Sequence, residues 1–76
     1  MSLTLDRVLP GQLVEITAIA GEPGLVQRLY ELGFCEGERI EFLGRAPLGD
    51  PIEIRIANSR ISLRKIEAAG IAVRVV

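Results

Sequence analysis

The stretch that decides the fold is residues 21–56, GEPGLVQRLYELGFCEGERIEFLGRAPLGDPIEIRI. Its first part predicts one short α-helix, because leucines recur there at helical spacing. They are Leu25, Leu29 and Leu32, and Val26 and Tyr30 widen their stripe. Pro23 suits the first helical turn, and Gly33 is well placed to end the helix in the left-handed conformation. The rest of the stretch predicts a strand–loop–strand hairpin, so we expect the helix to cover one end of a small β-structure.

Alternating apolar and polar residues predict five β-strands. They are residues 12–19, 38–45, 52–56, 60–64 and 71–76. The first strand is expected to bury Val14, Ile16 and Ala18, and the last is expected to bury Val75. A tight turn is predicted at Asn58 and Ser59. Leucine, isoleucine and valine must supply most of the core, because aromatic residues make up 4% of the chain.

Single helical turns are predicted at residues 5–7, capped by Thr4, and at residues 65–69, closed by Gly70. Five short strands at this spacing indicate a closed or nearly closed barrel. A single-turn break between the fourth and fifth strands is typical of an SH3-like barrel. We therefore predict a mainly β protein: one domain over residues 1–76, a small five-stranded SH3-like barrel with one short α-helix between strands one and two.

The composition argues against several functional classes. The 76 residues carry nine basic and ten acidic side chains, and this balance is unlike the basic surface of a nucleic-acid binder. No apolar run approaches the length of a membrane span, and residues 1–10 do not resemble a signal peptide. The single cysteine fits a reducing cytosol.

Four motifs together resemble the ferrous iron transport protein A (FeoA) family, and the match covers almost the whole chain. The motifs are LPG at 9–11, RLYELG at 28–33 with Gly37, RAPLGDPIE at 45–53, and SLR at 62–64 with Glu67 and Ala68. The resemblance implies an SH3-like barrel in the cytoplasm. It also implies an accessory or regulatory role in bacterial ferrous iron uptake through association with the FeoB membrane transporter, on its cytosolic nucleotide-binding domain or near the membrane.

The same barrel occurs as the C-terminal domain of iron-dependent transcription repressors. The alternative function is therefore a free-standing regulatory domain that binds a peptide or a repressor. No helix-turn-helix segment precedes the barrel in this sequence, which favours the transport accessory. A nucleic-acid-binding barrel is a third hypothesis, disfavoured because it needs stacking aromatics and a basic groove.

Enzymatic chemistry finds little support in these residues. The chain has no histidine, the residue that most often serves as a general base near neutral pH. Asp50 is expected to accept backbone N–H groups within its turn. The glycine-containing loop at 44–49 lacks the lysine–serine ending and the following helix of a phosphate cradle. We expect no catalytic site and no cofactor.

A metal site is also not expected. Cys35, Glu36 and Glu38 lie close in sequence but lack the third and fourth partners that a transition metal needs. Cys35 is expected to be a small, half-buried apolar side chain.

Two surfaces remain as candidates for binding a partner. The first is the helix edge, with Leu25, Arg28 and Tyr30, where a partner could lay an apolar face; Leu29 and Leu32 are expected to belong to the core. The second is the hairpin loop at 46–51, in which two prolines order the backbone before binding. Its candidate residues are Arg45, Pro47, Leu48 and Asp50. An open sheet edge also allows a weak homodimer.

Overall fold

The computed structural model describes residues 3–76. Its strands are β1 (Leu3–Thr4), β2 (Leu13–Ile19), β3 (Arg39–Arg45), β4 (Ile52–Ile56), β5 (Ser59–Leu63) and β6 (Ile71–Val75). Its α-helices are α1 (Pro23–Glu31) and α2 (Lys65–Ala68), and a 3-10 helix spans Leu5–Arg7. Within residues 3–76, no helix is long and apolar enough to cross a membrane.

All six strands form one antiparallel sheet in the order β1-β6-β2-β3-β4-β5. This corrects the predicted five-stranded barrel: the sheet has a sixth strand, and it is left open with β1 and β5 as its edges. The extra strand escaped the sequence pattern because two residues show no alternation. Leu3 and Thr4 pair with Val73 and Ala72. Consequently α1 lies between the second and third strands of the chain.

The core lies against the inner face of β3 and β4. Ile52, Ile54 and Ile56 of β4 are at most 1% exposed, as predicted, and Phe34 and Phe42 are fully buried beside them in the same cluster. Burial of a large aliphatic or aromatic side chain stabilises the fold by about 1.5–3 kcal/mol. No charged or polar side chain of the described residues belongs to this core.

Helix α1 ends as predicted. Gly33 adopts a φ of 101°, and the N–H groups of Gly33 and Phe34 donate to the carbonyls of Tyr30 and Leu29. This paired arrangement closes a helix and places the residue after the glycine against the last turn. Leu32 was expected in the core, but it is 45% exposed because it follows the last helical residue.

Strand β2 departs from simple alternation. Its pairing with β6 shifts register between Ile16 and Ala18, which is the signature of a β-bulge. The extra residue turns the strand, so Ala18 is exposed although it was predicted to be buried with Val14 and Ile16. Val75 was also expected in the core, but it is 51% exposed at the last position of β6.

The β4–β5 hairpin turns one residue earlier than predicted. Ile56 pairs with Ser59, so the loop is Ala57 and Asn58, whose φ angles of 48° and 68° define a type I′ turn. Thr4 and Glu22 do not cap their helices with side chains. Thr4 instead donates its hydroxyl hydrogen to a carboxylate oxygen of Asp6.

Gly70 lies where the chain from α2 meets the end of β2. Ala20 donates its N–H to the Gly70 carbonyl at 2.8 Å, and a Cβ on Gly70 would lie 2.2 Å from the Ala20 carbonyl oxygen. That distance is shorter than any real contact, and the atom it meets is backbone. The position therefore requires glycine for close approach.

We predict that Gly70→Ala lowers the free energy of unfolding by about 2 kcal/mol, because the backbone must shift. Thermal unfolding followed by circular dichroism measures the loss. Gly24→Ala is the matched control, since its Cβ would make an ordinary 3.5 Å contact, and it should leave stability unchanged or slightly raised. An unchanged melting temperature for Gly70→Ala would contradict the close approach to Ala20.

Candidate partner-binding surface

The loop at residues 46–51 joins β3 to β4 and is held by its own backbone. Ala46 donates its N–H to the Pro51 carbonyl at 3.0 Å, and Gly49 donates to the Ala46 carbonyl at 2.7 Å. Pro47 occupies the second position of this tight turn, where its fixed φ is favourable. Leu48 follows it and is 97% exposed. The loop therefore presents an apolar side chain to solvent on an ordered turn.

Asp50 fastens the loop to helix α2. Its Oδ1 accepts the N–H of Lys65, the first residue of α2, at 3.0 Å. Its carboxylate accepts a backbone N–H as expected, but the donor lies fifteen residues away instead of in the same turn. Ile66 is the next residue of α2 and is 83% exposed. This bond joins the segments that carry Leu48 and Ile66. We call the surface formed by Pro47, Leu48 and Ile66 the loop patch.

Arg45 connects the end of β3 to the N-terminal segment. One guanidinium nitrogen donates to the carbonyl of Asp6 at 2.8 Å and to that of Val8 at 3.1 Å. The guanidinium carbon lies 4.7 Å from the centre of the Phe42 ring, a cation–π geometry. Arg45 therefore holds the 3-10 helix to the sheet.

The helix edge also has partners inside the chain. Leu25 is half-buried and packs against the core cluster. Arg28 forms an ion pair with Glu67 of α2, and Glu67 accepts the N–H of Arg64 at 2.9 Å with its other oxygen. Glu67 thus joins α1 to the start of α2.

Tyr30 is 42% exposed, and its hydroxyl oxygen lies 3.0 and 3.1 Å from the carboxylate oxygens of Glu36. The hydrogen bond to Glu36 raises the pKa of Tyr30, and desolvation and the negative charge of Glu36 act in the same direction. Both groups lie at the end of α1, so this contact ties the helix to the turn that follows.

The outer face of the sheet carries a shallow pocket of about 170 Å³. It is lined by Leu43, Gly44, Arg45, Ala46, Pro51, Glu53 and Arg60. Glu53 accepts hydrogen bonds from Arg60 at 2.7 Å and from the Ser62 hydroxyl at 3.2 Å, and these bonds, that of Arg60 first, lower the pKa of Glu53. The pocket therefore lies between the loop and edge strand β5.

Residues 3–76 contain no cluster of three or more cysteine, aspartate, glutamate or histidine side chains placed to hold a metal. Cys35 is exposed, whereas the sequence suggested a half-buried side chain. The turn at Gly37 explains the exposure: Glu38 donates its N–H to the Cys35 carbonyl, and Phe34 occupies the adjacent core position.

The seven sequence-predicted site residues thus lie in two places. Arg45, Pro47, Leu48 and Asp50 come together at the loop, while Leu25, Arg28 and Tyr30 lie along α1. Sequence reasoning missed Ile66. The sequence signal was the shortness of α2, because a single helical turn can bury about one side chain. Ala68 is the buried one, so Ile66 is left exposed.

A sequence model of the FeoA domain matches residues 3–75. The chain belongs to the FeoA domain family. The chain is 32% identical over 74 residues to a fusion of Fe(2+) transport protein A with the Fe(2+) transporter FeoB in Porphyromonas gingivalis. That alignment covers 97% of this chain and 9% of the much longer fusion protein.

Solved FeoA structures share the fold. Iron(II) transport protein A of Clostridium thermocellum is 43% identical, with a TM-score of 0.93 over 97% of this chain and 46% of that one. FeoA of Stenotrophomonas maltophilia, an SH3 domain protein solved with zinc, is 25% identical, with a TM-score of 0.83 over 95% of this chain and 89% of that one. This chain therefore has an SH3-like fold.

A manganese-dependent transcriptional repressor contains the same fold. The two chains superpose with a TM-score of 0.91 over 99% of this chain and 37% of the repressor, at 18% identity. At that identity the likeness concerns the fold alone.

We predict that Arg45→Met lowers the free energy of unfolding by about 1–2 kcal/mol, because two hydrogen bonds and a cation–π contact are lost. Amide hydrogen exchange in residues 5–8 should be faster in Arg45→Met than in the wild-type protein. Arg39→Met is the control, since Arg39 lies in the same strand and belongs to none of the ion pairs among residues 3–76. Equal stability of the two variants would contradict the role of Arg45.

Tyr30 is the sole tyrosine of a chain without tryptophan, so tyrosinate absorbance reports it alone. Its midpoint in an alkaline titration should exceed the ordinary 10.0 in the wild-type protein and fall towards that value in Glu36→Gln. A raised pKa means that the bond stabilises the fold fully below pH 10.0 and is lost as the pH rises through the folded pKa. Glu38→Gln is the control, and identical midpoints in all three proteins would rule out the contact.

Proposed function

We propose that this FeoA-domain protein is a cytosolic accessory or regulatory component of a bacterial ferrous iron uptake system. It acts by binding an FeoB-type membrane transporter, on the transporter's cytosolic nucleotide-binding domain or close to the membrane. The observation that carries the proposal is the P. gingivalis fusion, in which a homologous domain and an FeoB transporter share one polypeptide. Domains joined in one chain work at high effective concentration, which favours partners that act together.

The loop patch is the proposed contact surface. Leu48 and Ile66 are the two most exposed large apolar side chains of the described residues, at 97% and 83%. Pro47 and the bonds of the turn order the backbone around Leu48 before any partner binds. Less conformational entropy is then lost on binding than with a flexible loop. Apolar side chains presented on ordered backbone are the kind of group that dominates binding energy at protein interfaces.

The other candidate residues support this surface instead of contacting the partner in the proposed arrangement. Asp50 and Arg45 fix the two ends of the loop, on α2 and on the N-terminal segment. Arg28, Leu25 and Tyr30 fix α1 through Glu67, the core and Glu36. We also propose that the protein is not an enzyme, because a protein that acts by presenting a binding surface needs no catalytic residues.

Leu48→Asp should weaken binding to the purified cytosolic domain of the transporter by about tenfold or more, because a charge would be buried without a partner. Isothermal titration calorimetry with and without guanine nucleotide measures the affinity. Leu32→Asp is the matched control: Leu32 is also an exposed leucine outside the core, but it lies at the end of α1. It should bind like the wild-type protein.

Two further variants separate the surfaces. Ile66→Asp should share the defect of Leu48→Asp, whereas Tyr30→Ala should not. Loss of binding in Leu32→Asp and Tyr30→Ala, with normal binding in Leu48→Asp, would move the contact to the helix edge. Absence of binding by the wild-type protein at high micromolar concentration, in both nucleotide states, would refute the association itself.

A further inference from the structure

Strand β5 is a free edge of the sheet. It pairs with β4 on one side, from Ser59 opposite Ile56 to Leu63 opposite Ile52. Among residues 3–76, no backbone group outside this hairpin bonds to β5. An exposed edge strand presents unpaired N–H and C=O groups that can pair with another chain.

The hairpin geometry identifies the unpaired groups. The type I′ turn closes with Ile56 and Ser59 as a hydrogen-bonded pair, and such pairs alternate with non-bonded pairs along an antiparallel ladder. Ile61 and Leu63 therefore bond to β4. Arg60 and Ser62 direct their N–H and C=O groups to the open side, so the edge offers two donors and two acceptors at the spacing of a β-ladder.

The charge around this edge selects the occupant. Arg60 and Ser62 lie on the outer face of β5 with Glu53, and Arg64 follows them at the same parity. Arg60 is already paired with Glu53, but Arg64 and the adjacent Lys65 join none of the ion pairs within residues 3–76. The carboxylates of Glu67 and Asp50 lie near them but accept the backbone N–H groups of Arg64 and Lys65. An incoming strand therefore meets two cationic side chains that have no ion-pair partner in the described part of the chain.

A second copy of the chain brings no carboxylate to this edge. Antiparallel pairing centred on Arg60 would set Arg60 opposite Arg60, and pairing centred on Ser62 would set Arg60 opposite Arg64. Pairing centred on Ile61 would set Arg60 opposite Ser62, but it would leave Arg64 opposite Asn58. Like charges directly opposite each other across two strands are destabilising. Carboxylates on the incoming strand would instead be opposite the cations.

We propose that β5 is a docking edge for an extended acidic segment of a partner protein, which adds to the sheet as a seventh strand. The segment pairs its backbone with Arg60 and Ser62 and places carboxylates beside Arg64 and Lys65. Its outer-face side chains lie next to Arg60, at the rim of the 170 Å³ pocket. This surface is distinct from the loop patch and does not depend on the identity of the transporter.

The free protein provides the first test. Amide hydrogen exchange measured by NMR should be faster at Arg60 and Ser62 than at Ile61 and Leu63, which are bonded to β4. The probe is a short acetylated peptide in which glutamate alternates with valine. At saturation it should slow exchange at Arg60 and Ser62 about tenfold or more, while a peptide with lysine in place of glutamate should have no effect.

Ser62→Pro removes one of the two outward N–H groups and is tolerable because the ladder to β4 does not use it. It should bind the acidic peptide about tenfold more weakly. Ser62→Ala is the matched control: it loses the same hydroxyl but keeps the N–H, so it should bind like the wild-type protein. Arg64→Glu should weaken binding about fivefold, and Arg39→Glu should not.

Chemical shift dispersion establishes whether each variant is folded. If Ser62→Pro does not fold, Arg64→Glu tests the proposal in its place. Equal binding by Ser62→Pro and Ser62→Ala would overturn the proposal. Peptide-induced shifts confined to Leu48 and Ile66 would overturn it in favour of the loop patch. A concentration-dependent dimer that protects Arg60 and Ser62 without peptide would assign the edge to a second copy.

Discussion

The alternation of isoleucines in β4 is the constraint on which the rest of the structure depends. Ile52, Ile54 and Ile56 are buried, whereas Glu53 and Arg55 face outward. A slip of one residue in either neighbouring strand would exchange the two faces and expose the core. The register is therefore strongly determined, and with it the position of every element that β4 aligns.

The loop patch follows from that register. Arg45 pairs opposite Ile52 at the end of the β3–β4 ladder, so residues 46–51 must leave the sheet there. The bulge between Phe42 and Gly44 bends β3 just before this point, as bulges do at sites where a strand is redirected. Asp50 then reaches Lys65, and the loop is fixed to α2, which follows both β4 and β5 in the chain. Packing inside the sheet thus sets the geometry of a surface outside it.

Most of the fold was predictable from the sequence because its elements have strong local signals. Helix α1 has helical spacing and a glycine stop, and β4 has five residues of strict alternation. The misses occur where local signals are weak or where geometry overrides them. Strand β1 has only two residues, too few to show alternation, and the bulge in β2 inverts the parity of Ala18. The turn between β4 and β5 lies one residue earlier than predicted, because Ala57 as well as Asn58 adopts positive φ.

The candidate site was harder to predict, because its contacts join residues far apart in the chain. Arg28 meets Glu67 and Arg45 meets Asp6 across 39 positions each. Sequence patterns identified the loop and its exposed leucine, but not the contacts that hold the loop. These contacts change the interpretation of the charged residues. Arg28 and Arg45 were candidates for meeting an acidic partner, but each already binds a group within the chain.

Occupied and unoccupied charges also distinguish the two proposed surfaces. Around the loop patch, Arg45 and Asp50 are satisfied internally, so recognition there rests on apolar side chains and a stiff backbone. Along β5, backbone groups and two unpaired cations are open, so recognition there rests on hydrogen bonding and charge. The first surface should therefore be insensitive to ionic strength, whereas the second should weaken as salt screens Arg64 and Lys65. A chain with a net charge of −1 can in this way separate two modes of binding by which charged side chains it holds internally at each surface.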